Sequence, residues 1–256
     1  MREEKCTIVK NRKLGGDYYL MKLEADYVAR QAGPGNFIML AASFTTDPLL
    51  KRPFGILNAV PPHIWIYYQV VGKGTRLISR LKENDKAHLI GPLGNTFPEL
   101  RGENILLLAG GRGIAPLYYA ARDYTGDNAV FLIYGAGSKD DLNLIEEIDS
   151  LPLKEIFLYT DDGSTGKRGL ITADIKEIIE THDINVTISC GPEAMFRALH
   201  KEIGSGNTDN YVSMEALMGC GFGICHSCVA QAADDSYKKV CQDGPVFKME
   251  EMAWPT

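Results

Sequence analysis

Apolar residues in the first hundred positions recur in short runs that alternate with polar ones, such as CTIVKNRKL at 6–14 and HIWIYYQVV at 63–71. Alternation with a period of two is typical of a strand with one face in a core. Gly and Pro punctuate these runs, for example in GPGN at 33–36. Short strands at this spacing predict an antiparallel β-barrel or sandwich over residues 1–100, with one helix in GTRLISRLKEN at 74–84.

From about residue 101 the pattern changes to short, continuous apolar runs with helical stretches between them. The runs are NILLLAG at 104–110, AVFLIYGAG at 129–137, EIFLYTDDG at 155–163 and NVTISCGP at 185–192. Strand–helix alternation indicates parallel strands joined by crossovers, so an α/β parallel-sheet domain is predicted over residues 101–210. Residues 211–256 are too few to bury much core and are predicted to form a small third domain.

Composition narrows the class of protein. Of 256 residues, 45% are hydrophobic and 23% are charged, which is ordinary for a folded protein. A formal charge of −6 argues against non-specific binding of nucleic acid. No apolar run approaches the roughly 20 residues that span a bilayer, and the first residues lack the apolar core of a signal peptide. We therefore expect a cytoplasmic protein that binds neither nucleic acid nor membrane.

Four of the six cysteines lie in MGCGFGICHSC and KKVCQDGPVF. Cys220, Cys225, Cys228 and Cys241 follow the pattern C-x4-C-x2-C-x12-C. This is the spacing of plant-type [2Fe–2S] sites, where three thiolates come from one tight loop and the fourth from a separate segment. Glycines between them let backbone N–H groups turn toward the sulfurs. The spacing therefore favours these four cysteines as ligands of a [2Fe–2S] cluster.

Other uses of the same cysteines stay open. Structural zinc also takes four cysteines, but usually as two C-x2-C pairs, and disulfides are rare in a reducing compartment. Under the zinc alternative the chain would be a zinc-stabilised interaction protein with a degenerate nucleotide fold, and not an enzyme. We expect His226 to be exposed rather than a ligand, and Cys6 to be a buried or edge thiol.

A glycine-rich turn follows the first apolar run of the α/β region, in LLLAGGRGIAPLYYAA. Gly110, Gly111 and Gly113 precede a helical stretch, and N–H groups at such a helix N-terminus bind pyrophosphate. The turn is not the G-x-G-x-x-G fingerprint, because Pro116 occupies its last position. The next strand also lacks an acidic residue at its tip to hold a ribose. A tight connection without a ligand is the alternative.

Other polar and glycine residues sit where the later apolar runs end, which is where ligands bind to an open parallel sheet. Cys190 and Gly191 are in this position, and Cys190 either faces the crevice or is a buried thiol. In the barrel region, Arg52 could clamp a phosphate, and the backbone of Gly74 and Thr75 could contact the same phosphate. Taken alone, Arg52 is more typical of a surface charge.

Together these motifs resemble the ferredoxin-reductase superfamily over essentially the whole chain. Its members carry R-x-x-S or R-P-x-S on a flavin-binding barrel, a G-G-x-G-x-A-P phosphate loop and a C-G-P near the nicotinamide. The corresponding stretches here are RPFGI, GGRGIAP and CGP. Within the superfamily, GCGFGICHSC…CQDGPVF and DPLLKRPFGI resemble the electron-transfer subunits of class 1B dihydroorotate dehydrogenases, which hold FAD and a [2Fe–2S] cluster.

The resemblance implies a set of cofactor contacts. Those to FAD are Arg52, Pro53, Phe54, Gly55, Gln69, Val70 and Val71, with Gly74 and Thr75 at its pyrophosphate. Those to NAD(H) are Gly110, Gly111 and Gly113 at its pyrophosphate, with Cys190 and Gly191 near the nicotinamide.

Two residues depart from the family pattern. Gly55 stands where the family has a serine whose hydroxyl commonly faces the flavin, so a backbone N–H or water must substitute. Arg112 stands in the phosphate loop where a small or apolar residue is common. An added cation there favours a bound dinucleotide or simply points to solvent.

The resemblance also implies an electron path. Electrons would pass between NAD(H), FAD and the [2Fe–2S] cluster, and then to or from an FMN on a dihydroorotate dehydrogenase catalytic subunit in pyrimidine biosynthesis. The chain would then be an oxidoreductase subunit in a hetero-oligomer. The same module with another acceptor, in a transhydrogenase or sulfhydrogenase complex, is the second enzymatic alternative.

Overall fold

The computed structural model describes residues 1–41, 45–204 and 206–254. Its first part is a closed antiparallel barrel with the strand order β1-β2-β5-β4-β3-β6. The strands are β1 (Arg2–Lys13), β2 (Tyr18–Glu24), β3 (Phe37–Leu40), β4 (Arg52–Val60), β5 (His63–Gln69) and β6 (Lys86–Leu93). Closure removes the free sheet edges. The predicted antiparallel barrel is confirmed, and the sandwich alternative is excluded.

Two short helices accompany the barrel, α1 (Asp26–Gln31) and α2 (Lys73–Ile78). The helix predicted over 74–84 is wrong in length, because α2 ends at Ile78. Asn11 of β1 explains the early end: its side-chain amide donates to the carbonyl oxygens of Ile78, Ser79 and Leu81. These carbonyls therefore find partners without the helix continuing.

The second part is a seven-stranded sheet in the order β10-β9-β8-β7-β11-β12-β15. Its strands are β7 (Asn104–Gly110), β8 (Ala129–Ala136), β9 (Glu155–Thr160), β10 (Lys167–Arg168), β11 (Val186–Cys190), β12 (Asp209–Ser213) and β15 (Val246–Lys248). Its helices are α3 (Ile114–Tyr124), α4 (Ile145–Asp149), α5 (Ile175–Thr181) and α6 (Glu193–Ile203). All neighbouring pairs are parallel except β12 with β15. The predicted parallel-sheet region is thus confirmed.

The last part contains the cysteine-rich loop and a hairpin of β13 (Val229–Gln231) and β14 (Tyr237–Lys239). Its final strand, β15, joins the edge of the large sheet beside β12. Asn95, just after the barrel, exchanges two hydrogen bonds with the backbone of Val246, at 2.8 and 2.9 Å. The backbone N–H of Asn95 also donates to the Gly244 carbonyl at 2.7 Å. The cysteine-rich part is therefore held by both larger parts. The predicted limits of the three domains stay predictions.

Helix α3 packs across from the large sheet onto barrel strand β4. Arg122 donates to the Asn58 side chain and to the Ala59 carbonyl, and Tyr119 donates to the Ala32 carbonyl at 3.0 Å. The buried residues of this face continue from the barrel residue Tyr67 into the α/β part without a break. One core therefore joins the barrel to the sheet.

The opposite face of the sheet has its own core, made with α5 and α6. Cys228 and Cys241 are buried in it. A third core fills the barrel, where Cys6 is buried as expected. None of the helices in the described ranges is both long and apolar enough to cross a membrane.

Candidate functional site

A crevice of about 620 Å³ opens at the carboxyl ends of the parallel strands. This edge is where open parallel sheets bind ligands. Its floor is the glycine-rich turn, in which Gly110 ends β7 and a short 3₁₀ turn (Gly111–Gly113) leads into α3. Gly191, which follows β11, lines the same crevice. The turn thus presents backbone at a helix N-terminus, which suits a pyrophosphate.

Gly113 fits only because it has no side chain. A Cβ at this position would collide with the carbonyl group of Cys190 and would lie 2.9 Å from the Gly191 nitrogen. The turn and the end of β11 therefore touch backbone to backbone. This contact fixes where the glycine turn sits relative to the Cys190-Gly191 corner.

A second cavity of about 420 Å³ lies between the barrel and α3. Eight predicted residues line it: Arg52, Pro53, Phe54, Gly55, Gln69, Val71, Gly74 and Thr75. Cys190 also lines it, and burial to 2% exposure raises the pKa of its thiol above the ordinary value. Val70 does not line this cavity; its side chain packs against the barrel core. All the other predicted barrel residues are brought together here.

Arg52 and the loop before α2 form one end of this cavity. The Arg52 guanidinium lies so close to Gly74 that a Cβ there would be 2.8 Å from Arg52 Cζ. The Thr75 hydroxyl accepts hydrogen bonds from the backbone N–H groups of Val71 and Gly72, at 2.9 and 3.1 Å. A cation and a hydrogen-bonded turn at one cavity end fit a phosphate group. Taken alone, the sequence favours a surface charge at Arg52, whereas in the structure Arg52 lines the cavity.

Gly55 faces α3 across the cavity. A Cβ on Gly55 would lie 3.5 Å from Pro116 Cδ, which is ordinary van der Waals contact. The Cβ of the family serine would therefore fit here without displacing the helix. Gly55 therefore lacks the serine hydroxyl, while α3 still packs beside β4.

The two cavities meet at four residues that line both: Gln69, Arg112, Met214 and Glu215. Arg112 donates to the Gln69 side chain at 3.3 Å and lies 3.7 Å from the Glu215 carboxylate. Arg112, which departs from the family pattern, thus links the barrel to the segment after β12. Sequence reasoning missed Met214 and Glu215, although they lie at a strand end in the same way as Cys190.

The cysteine-rich loop aims backbone N–H groups at its sulfurs. Cys220 Sγ accepts from Phe222 and Cys225, each at 3.5 Å, and Cys241 Sγ accepts from Gly223 at 3.1 Å. Such bonds stabilise thiolates that bind metal. To make these hydrogen bonds the loop adopts a left-handed backbone conformation at Gly223, whose φ is +88°.

The four thiols interact both within two pairs and between them, because Cys241 interacts with Cys228 and with Cys220. The side chains of Cys220 and Cys225 interact with each other, and so do those of Cys228 and Cys241. Hydrogen bonds, first from Ser227, lower the pKa of the exposed Cys225 to about 6, whereas burial raises the pKa of Cys241 to about 12.

The spacing of the four cysteines, and the backbone N–H groups directed at Cys220 and Cys241, are typical of a [2Fe–2S] site. Structural zinc more often takes its four cysteines as two C-x2-C pairs. All six cysteines are free, which leaves the disulfide alternative without support, and His226 is exposed. The donor set therefore fits a [2Fe–2S] cluster better than zinc.

Comparison with known proteins matches this architecture. Residues 107–201 match the family described as the oxidoreductase NAD-binding domain, and residues 215–253 match the iron-sulfur cluster binding domain of dihydroorotate dehydrogenase B. A solved structure of an NADH-dependent reduced ferredoxin-NADP oxidoreductase superimposes with a TM-score of 0.84. It is 28% identical, over 97% of this chain and 89% of that one. The ferredoxin reductase of carbazole 1,9a-dioxygenase shares the fold at a TM-score of 0.68 and 22% identity, over 81% and 66% of the two chains. The fold and paired cavities thus define a ferredoxin-reductase-like oxidoreductase.

Relatives of similar length narrow the class. The dihydroorotate dehydrogenase B (NAD(+)) electron transfer subunit of Caldanaerobacter subterraneus subsp. tengcongensis is 36% identical over 251 residues, which cover 97% of each chain. The protein of the same name from Bacillus velezensis is 35% identical over 260 residues, covering 99% of this chain and 100% of that protein. The chain belongs to the family of dihydroorotate dehydrogenase B electron transfer subunits.

Replacing Gly113 with alanine should disturb the turn, because the new Cβ would overlap the Cys190 carbonyl. We expect the free energy of unfolding in urea to fall by about 1–3 kcal/mol, as in other overpacked sites. NADH binding, measured by fluorescence titration, should weaken in parallel.

Gly126→Ala is the matched control, since a Cβ there meets nothing within 4 Å. It should leave both quantities unchanged. Wild-type stability and binding in Gly113→Ala would contradict the close backbone contact.

Proposed function

We propose that this chain moves electrons between NAD(H) and an FMN-containing dihydroorotate dehydrogenase catalytic subunit in pyrimidine biosynthesis, and holds FAD and a [2Fe–2S] cluster for that purpose. The main support for the proposal is that three sites adjoin one another: the crevice, the barrel cavity and the cysteine-rich loop. The crevice and the barrel cavity share Arg112 and Glu215, and the barrel cavity extends along the chain to Met218. Cys220 follows two residues later. The sites are therefore arranged in the order that the electron path requires.

In the crevice, we propose that the backbone from Gly110 to Gly113 binds the NAD(H) pyrophosphate. The helix dipole of α3 and the backbone of the glycine turn that precedes it would favour the two negative charges. Gly191 lines the crevice next to Gly110, where the nicotinamide would lie toward the barrel cavity. Arg112 would add a positive charge beside the dinucleotide.

In the barrel cavity, the residues fit a flavin. Pro53, Phe54 and Gly55 offer a largely apolar wall, and Arg52, Gly74 and Thr75 form the polar end for the pyrophosphate. Bound FAD supplies the exchange between two-electron and one-electron transfer, which no side chain can perform. Residues of α3 and Cys190, which line this cavity, would hold its rings and keep water from them.

In the cysteine-rich loop, Cys220, Cys225, Cys228 and Cys241 would hold the cluster, and the N–H groups of Phe222, Gly223 and Cys225 would tune it. Cys225 is exposed, and the neighbouring Ile224 is 74% exposed. We propose that electrons leave the chain at this surface and that the partner subunit docks there.

We further propose that the protein works in the cytoplasm. Six free cysteines, four of them proposed as iron ligands, are typical of a reducing compartment.

A second candidate function keeps the module and changes the acceptor. The similarity to the NADH-dependent reduced ferredoxin-NADP oxidoreductase, at 28% identity and a TM-score of 0.84, favours it. The higher identity of 36% to a dihydroorotate dehydrogenase B subunit over the full length makes the pyrimidine assignment the better supported one.

The FAD site can be tested with Arg52→Ala. Charge-assisted hydrogen bonds contribute about 1.5–3 kcal/mol, so we expect the Kd for FAD to rise at least tenfold. Equilibrium dialysis of the reconstituted protein would measure it. Arg76→Ala, an exposed arginine on α2 outside the cavity, should leave the Kd unchanged. Equal flavin retention in the two variants would argue against the role of Arg52.

The cluster can be tested with Cys225→Ser, since Cys225 is exposed and its loss should not disturb the core. We expect the two irons per chain of the wild type to be lost, together with the visible absorbance of the cluster, while NADH still reduces the flavin. Cys6→Ala removes a thiol outside the cluster and should keep both irons. One zinc per chain in the anaerobically purified wild type would instead support the zinc alternative.

The partner can be tested by anaerobic capture of the tagged chain from its native cells, followed by mass spectrometry and flavin analysis. We expect an FMN-containing dihydroorotate dehydrogenase chain to be retained. Dihydroorotate should reduce the FAD of the purified complex but not that of the isolated chain. Retention of a different oxidoreductase, with no response to dihydroorotate, would move the assignment to the second candidate function.

A further inference from the structure

Both departures from the family pattern, Gly55 and Arg112, line the barrel cavity. Gly55 offers no side-chain hydrogen bond to a ligand there, whereas Arg112 adds a positive charge. Of the described residues, Arg112 is the only cation that lines both the barrel cavity and the crevice. The charge where the two cavities meet therefore depends on this arginine and on its partners.

Two partners hold Arg112 at the junction of the cavities. Its guanidinium donates to the side chain of Gln69, the last residue of barrel strand β5, at 3.3 Å, and lies 3.7 Å from the carboxylate of Glu215, which follows β12. All three residues line both cavities. The guanidinium and the carboxylate therefore lie side by side where a nicotinamide in the crevice would meet a flavin in the barrel cavity.

The ion pair between Arg112 and Glu215 contributes little to the stability of the fold. The two side chains are 42% and 60% exposed, and solvent screens ion pairs in such positions. A ligand that fills the cavities would displace this solvent, and each charge acts more strongly on its neighbours when the local dielectric constant is lower. The pair should therefore affect a bound cofactor more than it affects folding.

Both charges already act on a side chain in the wall of the barrel cavity. Burial raises the pKa of the Cys190 thiol most, the Glu215 carboxylate raises this pKa further, and the Arg112 guanidinium lowers it. Cys190 lines the barrel cavity, so the two charges act there with opposite sign. A group that gains negative charge in this cavity would be stabilised by Arg112 and destabilised by Glu215.

Reduction of a flavin is a change of this kind. A hydride from NADH brings two electrons and one proton to the flavin and leaves NAD⁺, so the flavin gains one negative charge until water supplies a second proton. We propose that Arg112 raises the reduction potential of the FAD by stabilising this charge, and that Glu215 opposes it. The inference rests on the proposed function, because it assumes that the barrel cavity binds FAD.

The two-electron potential of the FAD, from anaerobic spectroelectrochemical titration of the FAD-loaded protein, tests the proposal without turnover. Arg112→Met removes the cation and leaves Glu215 without its counter-charge. We therefore expect the equilibrium constant for flavin reduction to fall roughly tenfold or more, which lowers the potential by about 30 mV. Glu215→Gln should raise the potential, and the double variant should lie between the two single ones. Arg112→Lys keeps the charge and should stay close to the wild type.

The ion pair of Arg12 and Glu147 is the matched control. It also joins a barrel strand to the α/β part, at 3.0 Å, but neither residue lines either cavity. Arg12→Met and Glu147→Gln should keep the wild-type potential, and equal thermal unfolding midpoints would show that all variants fold. Unchanged potentials in Arg112→Met and Glu215→Gln, or shifts of the same sign in both, would overturn this inference while leaving the FAD site intact. Failure of the wild type to retain FAD would overturn the proposed function together with the inference.

Discussion

The seam between α3 and barrel strand β4 determines the relative position of everything else in the molecule. Arg122 and Tyr119 cross it with hydrogen bonds to Asn58, Ala59 and Ala32, and a continuous apolar core lies beneath them. The same helix begins at the glycine turn and lines the barrel cavity through Pro116. One element thus forms the end of the nucleotide crevice and a wall of the flavin cavity. Because α3 cannot move without breaking the seam, the distance between the two cavities is fixed by packing.

Close backbone contacts set the finer geometry. The approach of Gly113 to the Cys190 carbonyl leaves no room for any side chain, and the left-handed turn at Gly223 directs an N–H group to the sulfur of Cys241. In both places a glycine allows a close backbone approach that any side chain would block. Backbone N–H groups are rigid and carry no net charge. They can therefore position anions and thiolates at little cost in side-chain entropy.

Much of this was predictable from the sequence. Alternating runs indicated the barrel, continuous apolar runs indicated the parallel sheet, and the cysteine spacing indicated the cluster, because each pattern reports a local periodicity. Features that depend on contacts between distant segments were not predictable in this way. The early end of α2 depends on Asn11, which precedes the helix by more than sixty residues. Met214 and Glu215 reach the crevice through the strand order of the sheet, which no short motif encodes.

The attachment of the cysteine-rich part bears on how electrons can travel. Strand β15 is hydrogen-bonded into the large sheet, and Asn95 ties Val246 to the end of the barrel. A carrier domain that swings between donor and acceptor needs a flexible tether, and this part is fastened at two separate points. Electron transfer from flavin to cluster would therefore proceed as tunnelling across a constant gap, whose rate follows the reduction potentials rather than the diffusion of a mobile arm.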